Sequence, residues 1–165
     1  VVDKPTESNP MLFITPKIAG HVTGFYGSMY TGSNTTYPHE GLDISSPLGV
    51  PVYAAFDGVC AWADYEPATY GNYIRVYHPA LDICTFYGHL TDRAVQTGNN
   101  IKQGQLLGHS GSTGNSSGPH IHFEIRWMDE HGGYMPNVSA RGNSRLDAMG
   151  WLCGWLAAGN KIEER

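Results

Sequence analysis

The sequence predicts an all-β protein that closes with a short C-terminal helix, and three observations carry that prediction. Several segments between residues 21 and 127 alternate in character from one residue to the next, the period of a strand with one buried face. The chain holds 21 glycines and 10 tyrosines, a composition suited to many strands and turns. No helical stripe of apolar residues occurs before about residue 145.

Residues 1–15 read as a linker or tail. Their opening, "VVDKPTESNP", lacks the features of a signal peptide and suggests a domain of a longer chain. "HVTGFYG", 21–27, is a short strand ending at Gly27, and "SMYTGSNTTYP", 28–38, has the composition of a loop. "VPVYAAFDGVCAWADY", 50–65, reads as two strands around Asp57-Gly58, a hairpin-type dipeptide. "GNYIRVYHP", 71–79, and "LDICTFYGHL", 81–90, make a second hairpin around Pro79-Ala80. A Gly/Ser-rich stretch, 99–119, holds one short strand at 105–109. In "GPHIHFEIR", 118–126, alternation points Ile121, Phe123 and Ile125 into a core and His120 and His122 together to the other face. Leu146, Met149, Leu152, Cys153 and Leu156 then recur at helical spacing, weakened by Gly150 and Gly154.

Bulk properties exclude several function classes. With 165 residues, 41% of them hydrophobic, the chain most simply forms one domain with a proper core. A formal net charge of −5 without a Lys/Arg cluster argues against nucleic acid as a partner. No apolar run is long enough to span a membrane. The 3 cysteines, Cys60, Cys84 and Cys153, show no metal-type spacing and read as small buried hydrophobes. Three matches to the glycosylation sequon, at Asn34, Asn115 and Asn137, lie in composition where so short a pattern arises by chance.

Eight histidines offer imidazole chemistry: His21, His39, His78, His89, His109, His120, His122 and His131. Two imidazoles side by side on a strand are either a polar surface or part of a metal site. In "HEGLDISSP", 39–47, His39 and Asp43 stand four apart, but Gly41 and the flanking Pro38 and Pro47 argue against a helix. A flat strand would hold them roughly 13 Å apart, too far for one metal with bonds near 2 Å. If both bind, the backbone bends between them at Gly41; otherwise they are a solvated histidine and a turn aspartate. Two imidazoles and a carboxylate would leave a tetrahedral zinc one open position, the layout of a catalytic site. His89 ends an alternating strand with Tyr87 two residues before it on the same face, where an imidazole can move a proton. Glu40 and Glu124 are close enough in sequence to orient an imidazole.

Taken together, "FYG", "HEGLDISSPLGVPVYAAFDGVC", "YGNYIRVYH", "FYGHL" and "IKQGQLLGHSGSTGNSSGPHIHFEI" resemble the lysostaphin-like zinc endopeptidases of bacterial cell walls, from about Gly24 to Arg126. The resemblance implies an antiparallel sheet with a central groove over residues 16–130, followed by a C-terminal extension, 131–165. It implies one Zn²⁺ per chain held by His39, Asp43 and His122, with His89 and His120 catalytic. The implied substrate is a peptide stem or cross-link of peptidoglycan. The implied location is outside the cytoplasm, at the cell wall, in a secreted, surface-associated or phage-borne protein. Residues 28–38 and 128–165 have no counterpart in the resemblance, and loops beside the groove are where bond specificity would be set. Two other classes compete: a non-catalytic wall-binding or activator module on the same fold, and a phosphocarrier domain of the sugar-transport type. The first would lack turnover; the second would need a phosphorylatable histidine but no His-x-x-x-Asp.

Overall fold

The structure, a computed structural model, describes residues 22–31, 36–127, 145–146 and 148. Its strands are β1 (Val22–Gly24), β2 (Met29–Thr31), β3 (Thr36–Pro38), β4 (Leu42–Ser45), β5 (Pro51–Tyr53), β6 (Gly58–Glu66), β7 (Gly71–His78), β8 (Ile83–Leu90), β9 (Asn100–Ile101), β10 (Leu106–His109), β11 (His120–Trp127) and β12 (Arg145–Leu146). The main antiparallel sheet runs β1-β4-β11-β8-β7-β6-β9, with β12 beside β11. Two ribbons accompany it, β5 with β10 and β2 with β3.

Alternation does the work expected of it in β11. Ile121, Phe123 and Ile125 are wholly buried and join Leu42, Ile44, Val52, Ile74, Val76, Tyr87 and Leu107 in one apolar cluster. Each such side chain contributes roughly 1.5–3 kcal/mol by leaving water. β7 and β8 pair around the Pro79-Ala80 turn, as their sequence predicts. The main departure is that all eight positions of β8 are buried, not every second one. On the face away from the cluster, Phe86 stacks on Tyr73 at 5.3 Å, and the Arg126 guanidinium lies 4.6 Å over its ring.

Three other expectations change. Residues 28–38 are not only loop: Met29, Tyr30 and Thr31 pair with Pro38, Tyr37 and Thr36 across a ribbon. Asp57-Gly58 does not join a hairpin, because β5 pairs with β10 while β6 pairs with β7. The dipeptide instead carries the chain from one sheet to the other. Asp57 accepts the Gln103 N–H at 2.8 Å, and a Cβ at Gly58 would overlap the Tyr77 carbonyl oxygen. The C-terminal helix lies outside the described residues except at its predicted start. There Leu146 is in a strand opposite Ile125, and Ala148, buried, is already helical, so what changes is only where the helix begins.

Candidate metal centre and its histidine pair

Sheet register builds the centre. In the ladder, His122 faces Asp43 of β4 on one side and Gly88 of β8 on the other, so these three form one row across three strands. Cross-strand neighbours have Cβ atoms roughly 5 Å apart, which brings the Asp43 carboxylate within 2.9 Å of His122 Nδ1. His39 precedes β4 and reaches the same point because the backbone bends. Its peptide is clamped by Gly27 N–H to His39 O, 2.8 Å, and His39 N–H to Ser28 O, 2.7 Å. His39 Nε2 then lies 3.1 Å from Asp43 Oδ1 and 3.1 Å from His122 Nδ1.

The bend falls at Gly41. Its φ is not positive; what it supplies is room, since a Cβ there would sit 2.5 Å from the Phe123 carbonyl oxygen. His39 Nε2, Asp43 Oδ1 and His122 Nδ1 all lie within 4.8 Å of one another, a set that can hold a metal ion. The far nitrogens are already committed. His39 Nδ1–H donates to the Phe25 carbonyl at 3.3 Å, and His122 Nε2–H donates to Glu124 Oε1 at 2.8 Å. So the donor set fits a divalent cation: two imidazole nitrogens and a carboxylate oxygen converge, each imidazole held from behind. The electrostatics agree. Burial opposes charge on Asp43, but the bonds to His122 and His39 outweigh it and hold the carboxyl well below its usual range. Burial likewise opposes a charge on His122, yet Asp43 and Glu124 push it up to about 9 in the metal-free chain. The site attracts positive charge, whether proton or metal.

His89 and His120 stand beside this set, with ring centroids 4.5 Å apart. His120 Nδ1–H donates to the Gly118 carbonyl at 2.8 Å, and its Nε2 is 3.7 Å from Asp43 Oδ1. His89 has φ 60°, a left-handed backbone rare outside glycine. Its N–H donates to Tyr70 O at 2.7 Å and its Nδ1–H to Thr113 O at 2.8 Å. Burial pushes His89 down to about 4, leaving it neutral near pH 7 with Nε2 as an acceptor. The positive φ also breaks the strand parity. Tyr87, expected on the face of His89, instead enters the core, where its hydroxyl accepts the Ala55 N–H at 2.9 Å.

Of the two carboxylates expected to orient an imidazole, Glu124 does so. Thr113 and Tyr70 were not legible as site residues. Thr113 sits in a Gly/Ser-rich loop, and the Tyr70 ring, 5.5 Å from that of His122, precedes the alternating run. His78 and His109 are elsewhere: His78 is buried against Asp57 O and Thr85, and His109 bonds Asp92. His21 and His131 lie outside the described residues. Cys60 and Cys84 are buried free thiols, pushed up by burial to about 11 and about 12, and so inert; Cys153 lies outside the described residues. No described helix is long and apolar enough to cross a membrane.

Known proteins share this arrangement of sequence and fold. Residues 37–134, more than half of the chain, match the profile of Peptidase family M23. Peptidoglycan DD-endopeptidase ShyC of Vibrio cholerae is 44% identical over 87 residues, 53% of this chain and 20% of that protein. DD-carboxypeptidase/endopeptidase Mpg of Neisseria meningitidis is 35% identical over 114 residues, 68% of this chain and 26% of that protein. The chain thus spans a fifth to a quarter of the length of these curated relatives. Among solved structures, the catalytic domain of lysostaphin from Staphylococcus simulans superposes with a TM-score of 0.68 at 28% identity, covering 81% of this chain and 92% of that one. A zinc-containing peptidase from Vibrio cholerae gives 0.63 at 31% identity, covering 68% and 35%.

Proposed function

The chain belongs to peptidase family M23, and from that membership we propose that it is a zinc-dependent endopeptidase acting on peptide stems or cross-links of bacterial peptidoglycan, outside the cytoplasm. The observation that carries the proposal is the convergence of His39 Nε2, Asp43 Oδ1 and His122 Nδ1 beside a second pair of imidazoles. His39, Asp43 and His122 would hold one Zn²⁺. When bound, zinc supplies a Lewis acid that polarises an amide carbonyl and acidifies water. The chain's own residues handle the proton. His89, neutral and anchored at Nδ1, accepts it from the attacking water at Nε2. His120 completes the pair that returns a proton to the departing amine.

A glycosidase would need two carboxylates flanking the sugar bond. Asp43 and Glu124 are both committed to His122, so the site favours an amide over a glycan. One relative carries the name DD-endopeptidase and another DD-carboxypeptidase/endopeptidase, which supports a stem or direct cross-link containing D-amino acids over an oligoglycine bridge. The test is digestion of purified peptidoglycan, following new amino groups against new reducing sugars. New amines with no new reducing ends are expected. Reducing ends without amines would overturn the peptidase assignment, and cleavage confined to oligoglycine would overturn the choice of bond.

A further inference from the structure

The face of β11 that carries His120 and His122 carries two more polar side chains, Glu124 and Arg126, at the next alternate positions. Exposure falls along this row from 17% at His120 to 8% at His122 and 0% at Glu124, and Arg126 beyond is also buried, at 2%. Cα atoms two apart on a strand are roughly 7 Å from each other, so neighbours in the row meet only if their side chains lean together. They do. Glu124 Oε1 takes the His122 Nε2–H at 2.8 Å, and Glu124 Oε2 takes the Arg126 Nε–H. A buried carboxylate is tolerated only when paired and hydrogen-bonded, and here each of its oxygens has a donor.

An ionised carboxylate only accepts hydrogen bonds. Its place against Nε2 therefore puts the imidazole hydrogen on that nitrogen and leaves Nδ1 to face His39 and Asp43. Gly41 is the third component. A Cβ there would lie 2.7 Å from Glu124 Cγ and 3.0 Å from His122 Nε2. Besides its clearance from the Phe123 carbonyl, the glycine leaves the space in which Glu124 meets His122.

We propose that Glu124, anchored by Arg126 and admitted by Gly41, is a positioning residue that fixes His122 as an Nδ1 ligand and sets the affinity of the centre for a divalent metal. The proposal rests on His39, Asp43 and His122 being the ligands.

Zinc affinity, measured by competition with a chromophoric chelator, tests it on the unaltered chain, His122→Ala, Glu124→Gln and the double variant Glu124→Leu with Arg126→Met. Glu124→Gln can accept the imidazole hydrogen only by turning its amino group toward the Arg126 N–H. The double variant replaces both buried charges with apolar side chains, a change that proteins often tolerate without loss of stability, and leaves His122 with no acceptor. Both are expected to bind zinc about 10–100-fold more weakly. Ring-nitrogen NMR of the zinc-loaded unaltered chain should show His122 protonated at Nε2 and metal-bound at Nδ1, which a purely structural ion pair would not require. If the unaltered chain takes zinc, His122→Ala does not, and either Glu124 variant folds and binds as tightly as the unaltered chain, the proposal is overturned while the ligand set stands. If His122→Ala keeps full zinc affinity, the ligand set itself fails and the proposal with it.

Discussion

His78 sits on the core side of β7, buried, with Nδ1–H donating to the Asp57 carbonyl at 2.8 Å and Nε2 2.8 Å from Thr85 Oγ1. Burial pushes it from 6.5 down to about 4, against the opposing bond to Asp57. Folding thus favours the neutral ring. Its contribution to stability is full above pH 6.5 and is lost as pH falls from 6.5 towards 4, on the order of 3 kcal/mol in all. Denaturant midpoints at pH 7 and pH 4.5 should therefore differ less in His78→Gln than in the unaltered chain; equal pH slopes would count against a buried neutral His78. The four histidines of the site divide into the two of the metal set, His39 and His122, and the pair beside it, His89 and His120. His39→Ala, Asp43→Ala and His122→Ala are expected to lose zinc and activity together. His89→Ala and His120→Ala should retain zinc, measured by elemental analysis, and lose roughly 10²–10⁴ in rate, the worth of a general acid or base. A His120→Ala that loses zinc while His122→Ala keeps it would reverse the assignment within the pair.

At the scale of elements, the loop 111–116 is what holds the end of β8, and His89 with it, beside the metal set. Asn115 N–H bonds Thr69 O at 2.7 Å, Thr113 Oγ1 accepts the Asn72 N–H at 3.0 Å and donates to Leu90 O at 2.7 Å. The same Thr113 gives its carbonyl to His89. The loop docks this closely because Gly71 has φ +62° and no side chain; a Cβ there would overlap Thr113 Oγ1. Gly71→Ala is therefore expected to cost at least ~1–2 kcal/mol from the left-handed backbone alone and to displace the His89 anchor. Zinc content should be unchanged, because none of the three metal-set atoms bonds this loop. Turnover should fall by more than the loss of folded protein explains. Full kcat in a destabilised Gly71→Ala would show that His89 does not depend on the loop.

For the whole molecule, the apolar cluster and the metal set are separate sources of stability. The cluster draws on every strand from β4 to β11, whereas His39, Asp43 and His122 meet on the other face of the sheet. Removing zinc should leave the β-sheet circular dichroism intact at room temperature while lowering the thermal midpoint. Free zinc at a hundred times its dissociation constant is worth about 2.7 kcal/mol, and each kcal/mol moves a domain of this size by about 2–4 °C. A drop of about 5–10 °C on chelation is the expected outcome of a thermal scan. Collapse of the sheet at room temperature would mean that the metal, not the cluster, holds the fold.

The sequence by itself determined what depends on local period and residue type. Strand alternation placed Ile121, Phe123 and Ile125 inside and His120 and His122 together on the opposite face, and Pro79-Ala80 marked the β7–β8 turn. Residue types and their order singled out His39, Asp43, His89, His120 and His122, which the fold gathers in one place. Tertiary structure decided what depends on partners distant in the chain. Asp57-Gly58 looks like a hairpin locally, but β5 finds β10 because both faces of the cluster must be covered. His89 leaves the face of Tyr87 because Tyr70 and Thr113, 19 and 24 residues away, hold it at positive φ. Period alone puts Glu124 and Arg126 on the face of β11 away from the core, yet they are buried because His122, Tyr70 and Phe86 lie against them. Period sets which way a side chain points; only the assembled sheet and its docked loops set what it meets there.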